Sequence, residues 1–183
     1  MVGGPWTGTR TVFEFYLTPT HRNHAFALFE ALVAASDATG MEVQSNAALI
    51  TVMLHTFARQ IRTESIVFKD ALTTAHSIEG AVFRRRGEPA AEWIVQLDGV
   101  EAASGGILYH YNRPYGDIYM EVAESFRRRG FGCYIVQELK RVCYELGSVP
   151  AARCNPQNIA SRKTLQKAGF VPYANILVGA FER

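Results

Sequence analysis

The sequence predicts an α/β protein with a mixed sheet and helices on both faces. Three observations lead to this class. The chain opens with a strand followed by two amphipathic helices, continues with short strands joined by turn dipeptides, and ends with alternating strands and helices. With 183 residues, of which 48% are hydrophobic and 20% charged, a single globular domain is expected.

The opening third is predicted as β–α–α. Residues 11–17 are rich in strand formers. Apolar residues at helical spacing then predict helices over residues 21–40 and 46–61, with a short strand over 41–44 between them. Residues 1–9 are predicted to be a loose lead-in. Two amphipathic helices need a surface to cover, so later strands must supply it.

The middle third is predicted as a meander. Strand candidates are residues 64–69, 80–86, 93–97, 100–111 and 115–122. Asp98-Gly99 is a turn dipeptide between the third and fourth of these strands. Gly105 and Gly106 lie inside the fourth strand, where glycine is typical of a bulge or of a close backbone approach.

The last third is predicted as β–α–β–α–β. A helix over residues 133–146 ends at Gly147 and is followed by a strand over 151–154. Asn155-Pro156 is interpreted as the start of the next helix, with proline at the first helical position and an end near residue 168. Residues 170–173 and 175–182 are predicted as two closing strands.

Composition excludes several classes of protein. A net charge of +2 with two isolated arginine triplets is a poor basis for binding a nucleic-acid backbone. No apolar run reaches the ~18 residues of a membrane span. The first residues contain no apolar signal segment, so a cytoplasmic protein is expected. The three cysteines form no CxxC pair, which favours free thiols in a reducing compartment.

Other polar residues receive modest interpretations. His21 and His24 lie one turn apart without a third ligand, so no metal site is predicted. His110 is interpreted as a half-buried strand residue, with a position facing an acceptor pocket as the alternative. Residues 84–86 are three arginines without a glycine turn, and a solvated charge run is the preferred interpretation.

A basic glycine turn, Arg127-x-x-Gly130-x-Gly132, lies between a strand and a helix. The first N–H groups of a helix have no internal partner, and the helix dipole adds positive charge there, so a phosphate fits this end. The turn is neither a P-loop nor a dinucleotide fingerprint. Taken alone, it leaves open a strand-to-helix connection that needs glycine only for its geometry.

A second segment, residues 155–170, lies one βα unit downstream and reads NPQNIASRKTLQKAGF. Together, the two motifs resemble those of the GNAT superfamily of acetyl-CoA-dependent N-acetyltransferases. The resemblance covers residues 93–183. It implies a mixed, mostly antiparallel sheet that is splayed at the cofactor site. It also implies transfer of an acetyl group from acetyl-CoA to a primary amine, in a small molecule or a protein, by direct attack in a ternary complex.

The resemblance also implies an organisation and a cofactor site. Residues 1–62 would shape the acceptor site of a single domain, and residues 63–183 would form the meander and the acetyl-CoA-binding core. The pantetheine arm would pair with a backbone edge at residues 120–122, and the pyrophosphate would lie on N–H groups of residues 128–133. The cofactor-binding residues would be Met120, Val122, Arg127, Arg128, Arg129, Gly130, Phe131, Gly132, Cys133, Asn158 and Ser161. For Asn158 the alternative is a helix cap.

The catalytic groups are less well defined by the resemblance. The N–H near Val122 would stabilise the oxyanion. The tyrosine acid of many members maps to Leu165, and the usual base positions map to Gly116 and Ile118, none of which titrates. Glu121 is the candidate base, although strand alternation places it, with Asp117, on the opposite face unless a bulge intervenes.

Replacement candidates for the acid are Ser161, Tyr173 and Tyr134. Because the acid and base positions are unfilled, a non-catalytic acyl-CoA-binding or sensing protein of the same fold is the alternative function. The expected partners are acetyl-CoA and an amine acceptor, without a metal, a nucleic acid or a membrane; a homodimer is left open.

Overall fold

The computed structural model describes residues 2–5, 10–87, 92–109 and 113–182. Short 3-10 helices cover Pro19–His24 and Glu124–Phe126. The strands and α-helices of this part of the chain are β1 (Val2–Pro5), β2 (Thr11–Tyr16), α1 (Ala25–Ala35), β3 (Gly40–Gln44), α2 (Ala48–Phe57), β4 (Ala58–Asp70), β5 (Ala81–Arg85), β6 (Glu92–Leu97), β7 (Val100–Leu108), β8 (Tyr115–Val122), α3 (Phe131–Glu145), β9 (Val149–Cys154), α4 (Ile159–Lys167) and β10 (Phe170–Phe181).

The first of two compact units comprises the described parts of Met1–Ile66 and Ala174–Arg183. Its strands lie in the order β1-β2-β3-β10-β4. β3 pairs antiparallel with β10, and β2 runs parallel to β3 for two residue pairs. α1 and α2 cover this sheet with a core that includes Phe29, Met53 and Leu54, all at most 1% exposed. Each such side chain contributes roughly 1.5–3 kcal/mol through burial.

The second unit, Val67–Tyr173, contains the glycine turn. β5, β6, β7 and β8 form an antiparallel meander, and β9 joins β8 in parallel. α3 packs its apolar stripe on this sheet, with Ile135 and Leu139 fully buried. Gly116 on β8 permits the close approach, since a Cβ there would lie 2.8 Å from Cys143 Sγ. The predicted α/β class with a mostly antiparallel mixed sheet is confirmed.

A buried lysine joins three elements of the second unit. Lys140 on α3 is 6% exposed, and its Nζ donates to the carbonyls of Leu72 and Ala168, both at 2.8 Å. The same Nζ lies 2.6 Å from Asp70 Oδ1, at the end of β4. Tyr144 donates to Asp70 Oδ2, and burial together with that carboxylate raises the pKa of Tyr144 to about 12. This cluster fixes α3 against the end of α4 and the segment after β4.

Two predicted helices are shorter than expected. The helix predicted over 46–61 ends at Phe57, and Ala58 begins the 13-residue strand β4. Ile61 had helical spacing by coincidence, and sheet pairing overrides local propensity there. The helix predicted over 21–40 consists of a 3-10 turn followed by α1, which ends at Ala35. Gly40, predicted to stop that helix, is the first residue of β3.

Three further boundaries differ from the predictions. Asn155-Pro156 does not start a helix; Asn158 is the N-cap of α4, and Asn155 Oδ1 accepts from the N–H of Gln157. The closing strands are one continuous strand, β10. Val2–Pro5 pairs with β2 inside the predicted loose lead-in. Residues 110–112, at the end of the predicted strand 100–111, lie outside the described residues.

We predict that Lys140→Met lowers the free energy of unfolding by about 3–5 kcal/mol, because it leaves the Asp70 carboxylate buried without its counter-charge. Arg141→Met is the matched control. Arg141 is the next residue on α3, is 53% exposed and pairs with Glu138 and Glu145 on the surface, where such a pair is worth at most about 1 kcal/mol. Urea denaturation measures the free energy of unfolding of both variants. If the two variants lose the same stability, the role given to Lys140 is contradicted.

Candidate functional site

The sheet of the second unit opens between β8 and β9. The two strands pair only from Tyr115 opposite Val149 to Ile118 opposite Ala152. β8 nevertheless continues to Val122, and β9 continues to Cys154. This opening, called the split below, is the splay that the resemblance implies.

The split leaves part of the β8 backbone without a strand partner. On its other side β8 pairs with β7 in one regular register, from Ala103 opposite Val122 to Leu108 opposite Asp117. The N–H of Ala123 donates to the carbonyl of Ala102, which fixes the phase of this ladder. Because antiparallel pairs alternate, Glu121 bonds towards β7, whereas the N–H and C=O groups of Met120 and Val122 point into the split.

The regular register also fixes the side-chain faces of β8. Gly116 and Val122 face α3, since a Cβ on Gly116 would meet Cys143 and a Cβ on Gly132 would lie 3.5 Å from Val122 Cγ2. Asp117 and Glu121 therefore face the opposite side. No bulge interrupts the described β7–β8 pairing, so the predicted alternation holds.

The N-terminus of α3 lies at the open end of the split. Gly130 is the N-cap with φ 93°, and no side chain caps the helix. The N–H of Tyr134 makes the first helical bond, to the carbonyl of Gly130. The preceding N–H groups, those of Phe131, Gly132 and Cys133, have no acceptor within the helix. They form a set of donors at the positive end of the dipole.

Gly132 fits between two neighbouring elements. A Cβ at this position would lie 3.0 Å from Thr164 Cγ2 on α4 and 3.5 Å from Val122 Cγ2 on β8. The first turn of α3 therefore separates the end of β8 from α4. Sequence reasoning attributed this glycine to cofactor approach, and the structure adds a packing requirement.

The three arginines of the turn occupy different environments. Arg127 Nε donates to the carbonyl of Val122 at 3.3 Å. The guanidinium of Arg129 lies 5.0 and 5.6 Å from the ring centroids of Phe126 and Phe131. Arg128 is exposed, with φ 61°. Arg128 is thus the member of the triplet best placed to meet a phosphate from solvent, and Arg129 stabilises the turn.

The first turn of α4 contributes a second group of side chains. Asn158 Oδ1 accepts from the N–H of Ser161 at 3.0 Å, so Asn158 is a helix cap, the alternative weighed above. Burial raises the pKa of the Cys154 thiol, while a hydrogen bond with Ser161 and the charge of Arg162 act in the opposite direction. Ser161 therefore lies beside Cys154, which is two residues beyond the last β8–β9 pair. Sequence reasoning placed Cys154 at a strand end near the site and preferred a buried residue, and Cys154 is 8% exposed.

The other positions considered for the catalytic acid and base differ in how far they are exposed to solvent. Leu165 is 3% exposed and belongs to the core, and Ile118 is 4% exposed. Tyr173 on β10 is 52% exposed, with Lys69 Nζ 4.7 Å from its ring centroid. Burial raises the pKa of Tyr134, which makes it a weaker acid. Glu121 is exposed.

An ion pair closes the base of the split and was not foreseen. Arg153 donates to Asp117 Oδ2 from Nε at 2.9 Å and from Nη2 at 2.7 Å. The pairing could be found from sequence only if the register of the parallel strands were already known.

The histidines and the second arginine run are the other polar features that the sequence singled out. His21 Nδ1 lies 2.8 Å from Thr18 Oγ1, and the described residues contain no cluster of three His, Cys, Asp or Glu suited to a metal ion. His110 lies outside the described residues. Arg86 pairs with Glu92 and Glu101, so the second arginine run includes surface ion pairs. In the described part of the chain no helix has the length and apolar character to cross a membrane.

Comparisons with known proteins agree with this fold. Residues 94–177 match the family model of FR47-like proteins. An acetyltransferase of the GNAT family from Colwellia psychrerythraea is similar in structure, with a TM-score of 0.74, 15% identity, and coverage of 96% of this chain and 79% of that one. A search of curated proteins finds no match.

Two further structures have the same fold. The GCN5-related N-acetyltransferase from Kribbella flavida aligns with a TM-score of 0.58 and 16% identity, over 98% of this chain and 88% of that one. The GCN5-related N-acetyltransferase from Sphaerobacter thermophilus aligns with a TM-score of 0.59 and 13% identity, and the alignment covers 92% of this chain and 71% of that one. These structures confirm the fold that the resemblance to the GNAT superfamily implies.

We predict that Gly130→Glu abolishes acetyl-CoA binding, because it places a carboxylate at the N-terminus of α3, where the phosphates are expected. Gly147→Glu is the matched control at the other end of the same helix. Both glycines have positive φ, 93° and 72°, so each substitution carries a similar backbone strain of about 1–2 kcal/mol. Calorimetric titration with acetyl-CoA measures the Kd of both variants. Normal affinity in Gly130→Glu would mean that the phosphates bind elsewhere.

Proposed function

We propose that this chain, which has the GNAT fold, is an N-acetyltransferase that moves an acetyl group from acetyl-CoA to a primary amine by direct attack in a ternary complex. The observation that carries the proposal is the backbone of Met120 and Val122, which has no strand partner in the split and runs towards the uncapped N-terminus of α3. A molecule that combines an extended diamide arm with a pyrophosphate matches both features.

The donor arm pairs with β8 as an added strand. Its amide groups bond the C=O groups of Met120 and Val122 and one of their two N–H groups, in the manner of β-strand addition, and the other N–H stays available for the oxyanion. The carbonyl of Val122 has two lone pairs, so it retains capacity for the ligand beside its bond from Arg127. The pyrophosphate lies on the N–H groups of residues 131–133, with Arg128 adding charge.

The chemistry requires few groups. The deprotonated amine attacks the thioester carbonyl, and a β8 N–H in the split, that of Val122 or Met120, stabilises the oxyanion. The C–S bond then breaks, and the CoA thiolate takes up a proton. Holding both reactants together supplies much of the rate. Ser161 is the proposed proton donor because it lies next to the split. Glu121 is the proposed base, which reaches the amine through water from the opposite face.

One observation favours a second candidate function, an acyl-CoA-binding protein without turnover. The usual acid position is the core residue Leu165, and the usual base positions are Gly116 and Ile118. None of these side chains can exchange a proton. This candidate shares the donor site and differs only in the absence of acetyl transfer.

We predict that acetyl-CoA stabilises the protein, by about 2.7 kcal/mol at a hundredfold excess over Kd, and that amines trigger release of the CoA thiol. The assay covers small primary amines and lysine peptides. Binding without thiol release on any amine would favour the second candidate. The absence of stabilisation would contradict both functions.

We predict that Ser161→Ala lowers kcat by about 10²-fold or more, the usual contribution of an acid or base, with little change in acetyl-CoA affinity. Ser148→Ala, at the far end of α3, is the control and retains full turnover. Thiol-release kinetics and calorimetry separate the two effects. Full activity in Ser161→Ala would remove Ser161 from the mechanism.

A further inference from the structure

We propose that Asp117 and Arg153 form the ion pair that sets where β8 and β9 part, and that this pair thereby positions the acyl end of the donor. The inference rests on the proposed function and deepens it. Neither residue is placed in contact with the reacting atoms, so both are positioning residues.

The position of the pair relative to the ladder is the first argument. Asp117 lies opposite Ala151, and the next pair, Ile118 opposite Ala152, is the last. Had pairing continued, Arg153 would lie level with Tyr119. Instead its guanidinium reaches back to Asp117 and donates twice to the same carboxylate oxygen, at 2.9 and 2.7 Å. The side chain of the first residue of β9 beyond its pairing with β8 is thus tied to a residue that lies within that pairing.

The strength of the pair is the second argument. The side chains of Arg153 and Asp117 are 26% and 15% exposed, so the charges are screened less than on an open surface. Charge-assisted bonds from a planar guanidinium also fix orientation as well as distance. The pair therefore restrains the base of the split on the face opposite α3.

The other end of the split has its own restraint. Gly132, in the first turn of α3, lies between Val122 on β8 and Thr164 on α4, so α3 occupies the space beside the end of β8. The split is thus bordered by α3 at Val122 and by the ion pair at Asp117. Between Val122 and Ile118 the free edge extends roughly 13 Å, at about 3.3 Å per residue.

The two restraints act on different ends of the donor. The phosphates lie at the N-terminus of α3, beside Val122, so the arm leads from there towards Ile118. The acyl group accordingly lies near the closed end, next to the Met120 amide. Loss of the ion pair shifts that amide relative to the thioester and leaves the phosphate site unchanged.

The test measures the Kd of two ligands, acetyl-CoA and a molecule that carries only its phosphate end. Both are titrated into two variants, Asp117→Asn and Arg153→Met. We expect both substitutions to weaken acetyl-CoA binding by about tenfold or more, since small misplacements of bound groups cost up to ~10²-fold. Adenosine 3′,5′-bisphosphate, used as the phosphate-end probe, should bind with unchanged Kd. Glu92→Gln is the control; it breaks the 2.6 Å pair with Arg86 in the same sheet and should alter neither Kd.

An unchanged acetyl-CoA Kd in Asp117→Asn would overturn the inference, and so would equal losses for both ligands, which indicate general damage. If either variant fails to fold, Arg153→Lys decides, because it keeps the charge but loses the planar fork. If Arg153→Lys loses affinity for acetyl-CoA alone, the positioning role of the ion pair is supported. If it binds acetyl-CoA with wild-type affinity, the inference is overturned. A wild-type protein that binds neither ligand would instead refute the proposed function.

Discussion

The parting of β8 and β9 is the constraint on which the proposed site depends. It leaves the main-chain groups of Met120 and Val122, two half-buried residues, without a strand partner. Here the first turn of α3 occupies the space at Gly132, and the Asp117–Arg153 pair marks where regular pairing stops. The main-chain groups without a strand partner are thus directed into the split.

Helix α3 serves the core and the site at once. Its apolar stripe is buried on the meander, while its uncapped N-terminus points its N–H groups outwards. Lys140, in the same helix, bonds the segment after β4 and the end of α4. The proposed anion site therefore belongs to an element that is fixed along its length. Such rigidity suits a site made of main-chain groups, since these cannot adjust by changing rotamer.

Sequence reasoning predicted the parts of this site that depend on local patterns. The turn from Arg127 to Gly132, the helix after it and the alternation of β8 all have short-range signals, and each is present. It was less successful where two local signals competed. Ile61 fitted a helical stripe yet lies on β4, and Asn155-Pro156 looked like a cap although Asn158 caps α4.

Features that depend on register or long-range packing could not be predicted from sequence. The Asp117–Arg153 pair links residues 36 positions apart and exists only in one parallel register. The triplet from Arg127 to Arg129 looked uniform in sequence, but the structure places Arg127 against the Val122 carbonyl and Arg129 against two aromatic rings, and leaves Arg128 exposed. The predicted single domain and the acceptor role of residues 1–62 stay predictions.

Hydrogen exchange at individual amides of β8 tests whether the donor pairs with the edge of the split. We expect saturating acetyl-CoA to protect the N–H groups of Met120 and Val122, which lack a strand partner in the free protein. Glu121, whose main chain bonds towards β7, is an internal reference that should change little. Unchanged exchange at Met120 and Val122 with the donor fully bound would contradict the account, because the donor would then lie outside the split.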